Sequence, residues 1–351
     1  MTAFQWESLS NQGVATAGVL YFLALLAHLV EWSSLRHVAG EPVVAGSGSA
    51  AASSSAPRGG VAVAAGGDAG AGGDAGALGT ALDRTRRTAL FARLGLLLTG
   101  AGCAAHAVGL VGRGMAADPH RVPWGNMYEF TLSGTFVVVL FYLLLRRRFG
   151  LDWMAPIVVG LVLALLMVAV LWLYDPVAPL TEALESYWLI IHVVAAILAT
   201  GAFTLGGITS AMFLVKSRRP GSGTGPMSRV PAPEVLDRIS YRIHAFGFPV
   251  WTFAVLITGP IWAHQAWSSY WNWDPKEVWA FITWVVYAAY LHARSTAGWK
   301  GRNAAILALV GTATLWFNFI GINYFSTTSQ HSYAGSAVVG SREAGQESGS
   351  S

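Results

Sequence analysis

Charge is what this sequence has least of. Of its 351 residues only 11% are Asp, Glu, Lys or Arg, against 54% hydrophobic, where a soluble domain usually carries about a quarter charged. That deficit points to a membrane protein. Cysteine is nearly absent too. Cys103 stands alone in an apolar segment, so neither an internal disulfide nor a CxxC redox pair can form. A Walker phosphate loop and HExxH are missing, which argues against an ATP-driven pump and an intramembrane zinc protease. The net charge of +4 is no nucleic-acid signature; its meaning lies in where the charges fall. The start, "MTAFQWESLSNQ", lacks the basic region and small-residue cleavage site of a signal peptide, so the first apolar run is read as a retained span.

What is present is apolar sequence in runs of helix length. Eight runs approach the roughly 20 residues that cross a hydrocarbon core: about 13–32, 89–111, 127–145, 154–173, 187–215, 244–263, 279–293 and 303–323. The seventh is short, and Trp and Phe at its outer end extend it. These runs predict an all-α polytopic membrane protein with about eight transmembrane helices. Basic residues gather in the odd-numbered connections, with Arg84, Arg86, Arg87, "RRR" at 146–148, "KSRR" at 216–219, Arg229, Arg294 and Arg302 among them. The even-numbered connections carry only Arg113, Arg121 and Lys276, with Arg342 in the tail. Since cytoplasmic loops hold the excess of Lys and Arg, both termini and the connection between helices six and seven are expected outside.

Three segments are too poor in large apolar side chains to offset ordering entropy: 40–80, 220–233 and the tail from about 335. The expected division is a first transmembrane helix (1–39), a disordered cytoplasmic Gly/Ala-rich insertion (40–80) and helices two to five (81–216). A cytoplasmic linker (217–240), a core with helices six to eight (241–333) and a disordered outer tail (334–351) follow.

The chemistry concentrates in "WSSYWNWDPKE" at 267–277. Asp274 is a good N-cap, Pro275 suits the first helical position, and Glu277 completes a capping box, so "DPKE" starts a helix. Interface belts place Trp and Tyr singly at helix ends. Here Trp267, Tyr270, Trp271 and Trp273 crowd one connection, with Trp251, Trp262, Trp279 and Trp284 nearby. Such a surface suits a large planar ligand, with a belt as the bland alternative.

Among the nine histidines, His192 lies about six residues into span five, roughly 9 Å deep at 1.5 Å per residue. His331 follows span eight in "QHSYAG", on the same outer side. His292 is 18 residues beyond Asp274, about 27 Å deeper and near the inner face. Two imidazoles flanking a planar iron chelate are a common haem arrangement, and two outer histidines beside an aromatic bed fit it. A hydrogen bond to a neighbouring helix is the plainer role of a membrane histidine, and His28, His106 and His244 take that reading. His120 is expected solvated. His264 borders the Trp loop and could substitute as a ligand or bind a propionate.

These residues resemble a known family. "AWSSYWNWDPKEVWAFITWVVYAAYLHAR", then "GWKGRNAAILALVGTATLWFNFIGIN" and "HSYAG", resemble the CcsA/ResC proteins of system II cytochrome c biogenesis, the haem-handling WWD proteins sometimes called CcsB in actinobacteria. The likeness runs from "PWGNMYEF" at 123–130 to "HSYAG" at 331–335. It implies that His192 and His331 hold haem b above a platform of Trp267, Tyr270, Trp271, Trp273 and Asp274, and that His292 is the transmembrane histidine of haem transit. It also implies a bacterial plasma-membrane location with the active face outside, a ResB/Ccs1-type partner, CxxCH apocytochromes as acceptors, and thiol-reducing proteins acting indirectly. The chain would then be the haem-ligating component of a holocytochrome c synthase. A haem exporter only, a system I CcmC/CcmF-like loader, and a channel or scaffold with an aromatic belt are the alternatives. In one place the chain departs from the family: Ser268 stands where glycine usually follows the first Trp.

Overall fold

Long apolar runs become long helices. The computed structural model describes residues 1–34, 71–178, 186–218, 225–296, 298–326 and 329. Among them the regular elements are helical: α1 (Ala3–Ser34), α2 (Ala71–Ala116), α3 (Met127–Phe149), α4 (Ala155–Trp172), α5 (Tyr187–Ser217), α6 (Pro233–Thr252), α7 (Gly259–Trp267), α8 (Pro275–Ser295), α9 (Arg302–Trp316) and the short α10 (Ile322–Phe325). Two single π-helical segments, Phe253–Thr258 and Phe317–Gly321, join α6 to α7 and α9 to α10 without a break. Seven of these continuous helical stretches are long and apolar enough to cross a membrane. The remaining predicted span is α8, long enough at 21 residues, whose tyrosines, tryptophans and His292 lower its apolarity. The chain is an all-α polytopic membrane protein.

Three boundaries differ from expectation. Residues 71–80, assigned to the insertion, begin α2 despite four glycines, since a helix already nucleated extends without a new nucleation cost. The rest of that insertion, 40–70, lies outside the described residues, as does the tail. Residues 233–240, assigned to the linker, are the first turns of α6, where proline at the first position is already shaped for a helix. Span six is two helices in line, α6 and α7, joined through the π segment.

α5 is the central helix, packing on α3, α6 and α9, while α1 runs along α2 and α4, and α8 along α9 and α6. One buried cluster fills the space around α1, α3 and α4 with Tyr21, Leu132, Tyr142 and Leu166. A second lies between α5, α6, α8 and α9, where the rings of Phe203 and Tyr287 stack at 3.8 Å. A third, Leu189, Val193, Ile197 and Trp262, closes the end of the bundle at which α5 begins. His28 and His106 meet a neighbouring helix as expected, His28 through Thr99 and His106 through Tyr21; His244 does not, since its Nδ1 donates to the Ser240 carbonyl one turn back on α6 itself.

Candidate functional site

The site begins with a proline inside a helix. Pro260 has no N–H to donate, and its ring would clash with the carbonyl four residues back. The chain passes it by widening into the π segment Phe253–Thr258, whose closing bond runs from Gly259 N–H to the Ala254 oxygen. Thr258 Oγ1 also donates to that oxygen at 3.0 Å. A third donor arrives from α5, His192 Nδ1, at 2.9 Å. A carbonyl only accepts, so Nδ1 carries the proton and Nε2 is the acceptor of the neutral ring. This is how metal-ligating histidines are usually held. Trp262 fixes the ring plane by stacking on it, 15° from parallel at 5.9 Å. Position 259 must be small for this contact. A Cβ there would sit 3.2 Å from the imidazole Nδ1 and Cε1 and 3.1 Å from the Ala254 oxygen.

His192 lines a cavity of about 1210 Å³, the space at its open mouth included. Trp124 and Phe130 from the α3 end, Trp251, Trp262, Tyr270, Trp271 and Phe319 supply aromatic walls. Asn126, Lys276, Glu277 and Asn318 add polar points.

The Trp-rich connection is set by α8. Asp274 caps the helix through Lys276 N–H at 2.8 Å, and Glu277 returns to the N–H groups of Asn272 and Asp274 in a full capping box. Lys276 Nζ donates to Asn323 Oδ1 at 2.9 Å. Burial pushes this ammonium down to about 8, against the raising pull of the Asp274 carboxylate. Ser329 Oγ donates to Asp274 Oδ1 at 2.8 Å, which brings the chain after α10 to the cavity rim. Ser268 and Trp273 both lie in the left-handed region, at φ 56°. A side chain in that region costs about 1–2 kcal/mol relative to glycine. Such strained non-glycine residues cluster at functional sites.

Not every expected residue reaches the cavity. His192, Tyr270 and Trp271 do. Trp267 stands behind, its ring edge-on to Trp262 at 4.8 Å. Trp273 is 77% exposed and meets Trp271 at 89°. Asp274 acts through the backbone as the cap. His264 stacks on Tyr270 at 4.2 Å, outside the lining. His292 is exposed near the other end of α8, on the face that also exposes Phe281 and Val285. His331 lies outside the described residues.

Sequence reasoning missed the α3 end. Glu129, fully buried, accepts from Arg113 Nε at 3.0 Å, Arg121 Nη1 at 2.6 Å and Gly125 N–H at 2.7 Å. Its own N–H is capped by Asn126 Oδ1 at 2.9 Å. This network fixes the turn that carries Trp124 and Asn126 into the cavity wall. The signal was present in "PWGNMYEF", where an Asn cap stands three residues before a Glu.

Residues 124–329, more than half of the chain, match a family model described as cytochrome C assembly protein. A cytochrome c biogenesis protein CcsA of Mesostigma viride is 33% identical over 243 residues, covering 62% of this chain and 78% of that protein. Another, from Synechococcus elongatus, is 35% identical over 257 residues, covering 60% and 78%. A solved cytochrome c haem lyase CcmF matches with a TM-score of 0.56 at 16% identity, covering 92% of this chain and 49% of that one. At that identity the likeness is one of fold.

Proposed function

The chain belongs to the cytochrome c assembly protein family, and from that premise we propose that it carries haem b across a bacterial plasma membrane and presents it on the outer face for attachment to CxxCH apocytochromes. It does so as the haem-ligating part of a system II complex with a ResB/Ccs1-type partner. The observation that carries this reading is His192: an imidazole locked by a main-chain carbonyl and a stacked tryptophan, on the wall of an aromatic cavity.

Haem is the cargo here, and the residues suit it. His192 Nε2 takes one axial position of the iron. His331 takes the other; Ser329, two residues before it, bonds Asp274 at the rim, and two residues of chain reach at most about 7 Å. Trp271 and Tyr270 cover the macrocycle, with Trp267 behind Trp262 as support. The capped start of α8 and the Lys276 ammonium receive the propionates. His292, on an exposed face of α8, pairs with a histidine of the partner during entry from the inner side.

At the outer face the apocytochrome histidine displaces one axial ligand, which brings two thiols beside the two vinyl groups. Each S–H adds across a vinyl C=C: a carbon–sulfur bond forms and the hydrogen goes to the other vinyl carbon. No net oxidant is consumed, so the contribution of the protein is positioning. Cys103, alone and buried, leaves thiol reduction to other proteins.

The test is the absorption spectrum of the detergent-purified complex, oxidised and reduced, for wild type, His192→Ala and His331→Ala. Low-spin bands that weaken in each variant and return in part with added imidazole support the assignment. Wild-type cytochrome c maturation in either variant refutes it.

A further inference from the structure

The Trp-rich connection leaves one ring without a role in the cavity. Trp273 is 77% exposed and meets Trp271 edge-on, 89° from its plane at 5.9 Å. Trp271 lines the cavity wall, so Trp273 stands one ring removed from the site.

The backbone under this ring is strained and firmly held. At φ 56° the Cβ crowds the following carbonyl, a geometry that glycine or asparagine adopts with less strain. Glu277 Oε2 accepts from the N–H groups on either side of Trp273, Asn272 at 2.9 Å and Asp274 at 3.2 Å. Ser269 Oγ donates to the Trp271 oxygen at 3.0 Å. Strain of this kind persists only where the surroundings over-determine it, and it gathers at ligand clamps and active sites. An anchor in the membrane interface needs no such geometry. Trp172 and Tyr187, 74% and 86% exposed, stand in ordinary helical backbone at the last residue of α4 and the first of α5, where belt residues are usual.

We infer that Trp273 is a docking point for the acceptor polypeptide: the segment flanking CxxCH packs on the face of its indole, which holds the histidine and the two thiols over the cavity mouth. The inference rests on the haem reading above, and it moves Trp273 from the haem platform, where the family likeness puts it, to the acceptor side. Three considerations favour a polypeptide as the occupant. The ring is continuous with the cavity wall through Trp271, so a chain lying on it lies beside the bound substrate. CxxCH fixes only three side chains, and a flat apolar face with one polar edge accepts varied neighbours around them. A rigidly held aromatic also loses little rotamer freedom on binding, and exposed Trp is among the usual anchors of interfaces.

The test uses the full-length protein, purified in detergent with its partner and loaded with haem b, and a reduced synthetic peptide carrying one CxxCH. Wild type, Trp273→Gly and Trp273→Phe are compared for haem affinity, for melting temperature without haem, and for attachment rate against peptide concentration. Trp273→Gly is expected to bind haem b as wild type does and to melt no lower, since a left-handed residue has lost its side chain. Its KM for the peptide rises about tenfold or more, as when an interface anchor is removed, while kcat changes little. Trp273→Phe keeps an aromatic face and stays within severalfold of wild type. Weakened haem affinity in Trp273→Gly would return the ring to the platform, an unchanged KM would leave it a membrane anchor, and a lowered melting temperature would assign it to the fold. Each overturns the inference and leaves the haem reading intact. Wild type that binds no haem, or binds it and attaches none, overturns that reading and this inference with it.

Discussion

Glu129→Gln is the perturbation whose size the structure determines best. The Glu129 and Arg113 side chains are both 0% exposed, and Arg121 is 11% exposed. One carboxylate thus serves two guanidiniums and a backbone N–H. The amide keeps the shape and can still accept from Gly125, but it removes the carboxylate that pairs with Arg121 and leaves Arg113 with Glu7 at 3.6 Å. Breaking a buried pair from one side costs about 3–5 kcal/mol, a large share of a net stability of about 5–15 kcal/mol. An apparent melting temperature lower by on the order of 10 °C follows, and haem retention falls with it, since Trp124 and Asn126 sit on the same turn. The assay is fluorescence-monitored unfolding in detergent alongside haem content. Arg113→Met/Arg121→Met/Glu129→Leu is the control, because apolar replacement of a whole buried charge cluster is often neutral; it should recover much of the melting temperature, short of the lost Gly125 N–H bond. Wild-type melting and haem content in Glu129→Gln would refute the claim that this network holds the α3 end in place.

Three further outcomes are expected. Gly259→Ala forces a methyl within 3.2 Å of the His192 ring, so haem affinity should drop severalfold in a titration, with protein abundance unchanged; equal affinity would mean that the ring position does not matter. Ser268→Gly relieves a left-handed residue and should raise stability by about 1 kcal/mol, read as a higher melting temperature. Lys276 has a folded-state pKa lowered to about 8 from 10.5, so between those values the unfolded chain binds more protons and stability rises with pH. Over the same interval the ammonium that holds a carboxylate is lost. Haem retention should therefore decline above pH 8 while melting temperature does not, and Lys276→Met should flatten both profiles.

Much was legible without coordinates. That the chain is all-helical and crosses a membrane several times follows from apolar length, because a bilayer accepts only segments that satisfy their own backbone. The α8 start was readable letter by letter, because a capping box is local: Asp274, Pro275 and Glu277 need only one another. His192 could be singled out by depth, and the Trp-rich connection by density. The tertiary structure decided which of those side chains share a cavity. Trp271 lines it while Trp267 and Trp273, four residues before and two after, do not, since the left-handed turns at Ser268 and Trp273 redirect the chain between them. It also decided that a proline would free the geometry in which Ala254 anchors His192, 62 residues away in sequence. Periodicity along one helix carries no information about the partner across the interface. Glu129 was invisible for that reason: a carboxylate claimed by two arginines looks in a sequence like any other acidic residue, and only packing separates them.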